Sequence, residues 1–176
     1  SAQFASKTQS KIAAASDSNN QGINAKPRQT PASGDTRKIY LAVVEGALDA
    51  SQSTLTDRLR KDDSARRMRI VGPNIPDAQL AELRYGVMGG DSNWSLIAVE
   101  LMTGRKHQIR VQFADRGHPV IGDRKYRSER KFPVGIALHS WRLQIVHPTK
   151  RIPLWFEAPL PSSWKPFLKS AGSPEE

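Results

Sequence analysis

The chain has 176 residues, room for one domain with a buried core, and it has no cysteine, which excludes disulfides, thiolate nucleophiles and cysteine-bound zinc. Its 27 Lys and Arg against 17 Asp and Glu give a net charge of +10 and favour a polyanionic partner, RNA or DNA before an anionic membrane. No apolar run approaches the roughly 18 residues of a membrane span, and the opening "SAQFASKTQSK" lacks the apolar stretch of a signal peptide, so a cytoplasmic location is expected.

Residues 2–15, "AQFASKTQSKIAAA", predict a short helix with Phe4, Ile12 and the alanines on its buried side. Residues 16–37 are rich in Ser, Asn, Gly and Pro and read as a flexible polar insertion that buries too little apolar surface to order itself. "KIYLAVVEG" (38–46) is a strand closed by a glycine, and "STLTDRLRKD" (53–62) and "RMRIV" (67–71) are two shorter strands around a basic turn. Pro73 and Pro76 mark a loop. "AELRYGVMGG" (81–90) and "WSLIAVELMTG" (94–104) form a hairpin. Thr103 suits the N-cap of a helix over 104–116, Ile109 and Phe113 share one side of it, and Gly117 followed by Pro119 suits its end. "GIALHSWRLQIVHP" (135–148) and "RIPLWFEAPLP" (151–161) make a last hairpin, and "SSWKPFL" (162–168) a short terminal helix. The order predicts an α+β domain with a mixed, mostly antiparallel sheet and flanking helices. It divides into a helix at 1–15, the insertion at 16–37, the main body at 38–168 and a disordered tail at 169–176.

The stretch "TGRKHQIR" (103–110) concentrates polar and positive side chains where a strand runs into a helix. A helix N-terminus attracts anions, so Arg105 and Lys106 in the first turn oppose the helix dipole and gain a purpose if a phosphate or carboxylate joins them. Arg110, if it faces inward, needs a buried carboxylate. Asp115 and Asp123 are the nearest in sequence, and spacing places neither. The plainer alternative is a solvated helix end, with Arg110 paired to a surface acid. His107, His118, His139 and His147 have no metal-ligand spacing, so no metal is expected. His118 and His147, each before a proline, read as turn residues, and His139 as a sheet histidine. No G-x-S-x-G elbow is present.

Taken together, "KIYLAVVEG", "TGRKHQIR", "GHPVIGDRKY" and "ALHSWRLQIVHP", in this order over residues 38–161, resemble the RluA-like family of pseudouridine synthases. The resemblance implies the family's α+β catalytic domain and the isomerisation of chosen uridines in ribosomal or transfer RNA, without metal or organic cofactor. It implies roles for particular residues. Tyr40 packs on the target base and assists proton removal, Arg110 pairs with the catalytic aspartate, and Leu138 lines the uracil pocket. Arg105, Lys106, His107 and Gln108 flank the site and hold RNA. The reaction breaks the N-glycosidic bond, rotates the uracil and joins C5 to C1′, so a carboxylate must be ionised near neutral pH and the base must leave its stack. The family's aspartate belongs to an "HRLD"-type motif that these 176 residues do not contain. The expectation is an N-terminally truncated, monomeric family member, inactive by itself, with Arg110 left to water or a bound anion. A non-catalytic RNA-binding remnant of the same fold is the alternative.

Overall fold

The computed structural model describes residues 36–170, with side chains through Leu168. The helix expected at 2–15, nearly all of the insertion and the tail beyond 170 lie outside these residues.

Seven antiparallel strands form one sheet: β1 (Arg37–Glu45), β2 (Gln52–Asp62), β3 (Arg67–Val71), β4 (Gln79–Asp91), β5 (Trp94–Leu101), β6 (Leu138–Val146) and β7 (Pro153–Glu157). Their spatial order is β3-β2-β4-β5-β1-β6-β7. Short connections produce the β2–β3, β4–β5 and β6–β7 hairpins, while β1 pairs across long stretches of sequence with β5 and β6. The α+β class expected from the sequence is the class observed. Among the described residues two α-helices accompany the sheet, α1 (Gln108–Asp115) and α2 (Lys165–Ser170).

The sequence of β5, "WSLIAVEL", is apolar at nearly every position, and seven of its eight residues are buried. Such a strand requires cover on both faces. Opposed residues of antiparallel strands share a face, so the register sorts the cover. Tyr85 lies opposite Val99, which lies opposite Tyr40. Phe113 of α1 meets Tyr85 edge-to-face at 5.2 Å, so α1 covers this face. On the other face, Phe167 of α2 meets Trp94 at 5.1 Å, and Trp164 packs against His139.

The start of α1 departs from the sequence expectation. The helix begins at Gln108, and its N-cap is His107, in the left-handed region at φ 54°. Thr103 does not cap it, because its hydroxyl is engaged elsewhere: it accepts from the Glu82 amide at 2.8 Å and donates to Gln108 Oε1 at 2.9 Å. Residues 103–107 are therefore a loop stapled to β4, and Arg105 and Lys106 precede the helix rather than forming its first turn. The C-terminal end is as read. Gly117 has φ +83°, and its N–H reaches the Ala114 carbonyl at 3.1 Å.

Candidate active site

The α1-covered face carries the first two site residues. Tyr40 pairs with Ser140 and Ala42 with Leu138, so Tyr40 and Leu138 project from neighbouring strands on the same face. The β1–β6 register shifts between Ile39 and Tyr40, leaving Trp141 as the extra residue on β6. Such a bulge re-aims side chains at the point where it falls. Both Tyr40 and Leu138 are half-buried, so each keeps surface available to a partner.

Arg110 stands in the first turn of α1. Ile109 and Phe113 are buried in the main core, which sets the helix's rotation. Arg110 is turned inward, with 19% of its side chain exposed, and forks onto Asp123, which is 1% exposed. Nε meets Oδ2 at 2.5 Å and Nη2 meets Oδ1 at 2.7 Å. The expectation that Arg110 lacks a carboxylate partner is therefore corrected. The tight turn after Ile121 brings Asp123 back over the helix, a folding-back that sequence separation does not reveal. The pair also answers the charge problem at this helix start, since the carboxylate offsets a cation placed against the dipole. Its hydrogen bond pushes the Arg110 guanidinium pKa further up.

The same guanidinium lies over the Tyr126 ring, 5.0 Å from its centroid. The buried Tyr126 hydroxyl accepts the Met68 amide at 3.0 Å and contacts His107 Nδ1 at 3.0 Å. Because the Met68 N–H is the donor in the first bond, the phenol hydrogen is free to serve the second. His107 Nδ1 then accepts, and its proton sits on Nε2. Burial, then the charges of Arg110, Lys125 and Lys106, push the His107 pKa below its usual value, consistent with a neutral ring. Burial pushes the Tyr126 phenol up.

The remaining residues of 105–108 divide. Gln108 is 2% exposed, and its amide is spent on the fold. Its Oε1 accepts from Thr103 Oγ1 and the Arg105 amide, and its Nε2 donates to the Glu82 carbonyl at 3.0 Å. Lys106 is exposed, and Arg105, also exposed, reaches the Leu80 carbonyl through Nε at 2.9 Å. His118 bonds the Glu45 carbonyl, His139 the Ala158 carbonyl, and His147 accepts two turn amides. Among the described residues, no three His, Asp or Glu side chains cluster as metal ligands.

Asp123 and Tyr126 are the members of this network that sequence reasoning did not assign. Their signal was present in "GDRKY", as part of a motif whose individual roles spacing could not supply.

The family model described as RNA pseudouridylate synthase matches residues 18–115. The chain is 36% identical over 136 residues to the uncharacterized RNA pseudouridine synthase YhcT of Bacillus subtilis, a match covering 76% of this chain and 44% of that protein. It is 30% identical over 149 residues to mouse RNA pseudouridylate synthase domain-containing protein 1, covering 78% of this chain and 47% of the relative. The solved structure of human RNA pseudouridylate synthase domain containing 1 superposes with a TM-score of 0.62 at 27% identity, over 80% of this chain and 60% of that one. The chain thus spans less than half the length of the curated relatives it matches. The match to the family model takes in more than half of its residues, and the chain belongs to the RNA pseudouridylate synthase family.

Proposed function

We propose that this family member contributes the greater part of a catalytic domain that isomerises uridine to pseudouridine in ribosomal or transfer RNA. One observation carries the reading. Tyr40 and Leu138 share a face of adjacent strands, and that face is covered by the helix from which Arg110 turns inward. A flipped uracil needs an aromatic surface, an apolar wall and a positive charge near its reacting carbon. In this reading Tyr40 packs on the base and assists proton removal from C5, and Leu138 bounds the uracil. Asp123 holds Nε and Nη2 of Arg110, so Nη1 is left to favour the ionised form of the attacking carboxylate. Lys106 and Arg105 lie on the exposed loop before α1 and contact RNA phosphates. Gln108 acts indirectly, by shaping that loop.

The attacking carboxylate is a separate requirement. Asp123 is buried and occupied by Arg110, and the 176 residues contain no "HRLD"-type stretch. We infer that these residues alone bind RNA without isomerising it.

The test follows hydrogen at uridine C5, which leaves when C5 bonds to C1′. Ribosomal and transfer RNA tritiated at C5 should release no label to the 176-residue chain. The same chain joined to a family-like segment bearing the motif should release it, and should lose that activity with Tyr40→Ala or Arg110→Ala. Release by the bare chain would overturn the inferred inactivity. Absence of release by the joined chain on both RNA classes would overturn the proposed reaction.

A further inference from the structure

The segment between Gly122 and Gly135 folds into a cleft of about 240 Å³ lined by Gly122, Arg124, Arg130, Lys131, Phe132 and Gly135. Gly122 immediately precedes Asp123, the partner of Arg110, and Gly135 lies just upstream of Leu138. The two walls are tied together where the Ala137 amide donates to the Ile121 carbonyl at 2.8 Å. The cleft is thereby joined to the same short segments that carry the site.

Its walls are held before any ligand arrives. The Gly122 amide donates to Ser128 Oγ at 2.9 Å and lies 3.1 Å from the Arg130 carbonyl. Ser128 in turn donates to Glu45 Oε1, which also accepts the Arg130 amide. Glu45, the acid close by, is thus spent on backbone and hydroxyl donors. Phe132 packs its ring against Phe167 at 6.1 Å and Trp164 at 5.9 Å, so the cleft keeps a fixed apolar wall. Gly122, at φ +88°, approaches so closely that a Cβ there would lie 2.8 Å from both the Gly135 carbonyl oxygen and Phe132 Cβ.

Its charge has no internal use. Arg124, Arg130 and Lys131 are exposed, and among the described residues none forms an ion pair with a carboxylate. Arg130 donates one Nη1 hydrogen to the Asn93 carbonyl, which orients the guanidinium and leaves its other donors free. Three cations gathered without an ion-paired carboxylate repel one another, and a phosphate relieves that repulsion. A cleft this small and this exposed encloses no free metabolite, whereas a polymer backbone crossing it needs no enclosure.

We propose that this cleft binds a backbone phosphate of unpaired RNA, held by Arg124, Arg130 and Lys131. The proposal rests on the RNA-directed reading above and adds a specific contact to it.

The experiment measures binding of a fluorescein-labelled single-stranded RNA to the 176-residue chain by anisotropy across a salt series. Arg124→Glu/Lys131→Glu should weaken binding by about tenfold or more at low salt. It should also flatten the slope of log K against log salt by about 0.7, as expected when one phosphate contact to a single strand is lost. Both residues are exposed and, among the described residues, make no side-chain hydrogen bond, so the fold is not at risk. A control of equal charge change, Arg69→Glu/Lys150→Glu on β3 and the β6–β7 turn, should shift affinity by less than about threefold. Wild-type binding with equal losses in the two variants would overturn the cleft and leave the RNA reading standing. No wild-type binding at low salt would overturn both.

Discussion

The guanidinium of Arg110 and the carboxylate of Asp123 meet through two parallel bonds in a place where Asp123 is almost wholly out of water. Removing one member strands the other, and a stranded buried charge costs about 3–5 kcal/mol. Asp123→Ala should lower unfolding stability by roughly that amount, read from urea denaturation. Arg110→Met combined with Asp123→Leu should cost far less than the two single changes summed. Additive losses would show that the pair is not coupled.

Tyr126 supplies a second test. Tyr126→Phe keeps the ring beneath Arg110 and removes only the hydroxyl. The Met68 amide then loses its acceptor, at a cost of about 1–3 kcal/mol. His107 loses the bond that fixes its tautomer. In ¹⁵N spectra the wild-type ring should show its proton on Nε2, and the variant should show a mixture of tautomers.

His107 also makes stability depend on pH. Its folded pKa lies below the usual 6.5. Between those two values the unfolded chain binds more protons than the folded one, so stability falls as pH drops through 6.5 and levels off once folded His107 also titrates. An NMR titration should place the His107 midpoint below 6.5. Replacing His107 by Gln should remove this part of the acid sensitivity in denaturation curves taken from neutral pH downward.

Gln108 and Lys106 separate support from contact. Gln108→Ala releases three hydrogen bonds of the loop before α1 and should destabilise the fold by about 1–3 kcal/mol. Lys106→Ala, on the exposed surface, should leave stability within about 0.5 kcal/mol while weakening RNA binding. The reverse pattern would return Gln108 to direct contact with RNA.

Gly122→Ala tests the close approach behind the basic cleft. The added methyl meets a backbone oxygen and Phe132 at a residue already at φ +88°. It should cost about 1–3 kcal/mol, measured by thermal or urea unfolding, whereas Gly72→Ala meets open space and should cost little.

These residues also mark how far sequence carried the reading. Strands such as "KIYLAVVEG" and "WSLIAVEL" were legible because apolar runs and bounding glycines are local signals. Tyr40, Arg110 and Leu138 were singled out through their motifs, and the register puts Tyr40 and Leu138 on one face of the sheet. The Arg110–Asp123 fork was not, because it depends on how the chain turns after Ile121. The start of α1 was misread because Thr103 is a good cap by type, yet Glu82 and Gln108 compete for its hydroxyl and win through tertiary contact. Gln108 looked like an RNA ligand because the motif groups it with Lys106, whereas only the packed loop distinguishes the buried amide from the exposed amine.

The central position of β1 has a kinetic consequence. Tyr40 finds Val99 on one side and Ser140 on the other, so the middle of the sheet cannot close until most of the chain is present. The β2–β3, β4–β5 and β6–β7 hairpins need only nearby residues and can form early. Sheets dominated by such distant pairings fold in milliseconds to seconds rather than microseconds. Tyr40 and Leu138 therefore become neighbours late, and a nascent chain acquires the sheet face they share only after β6 has left the ribosome.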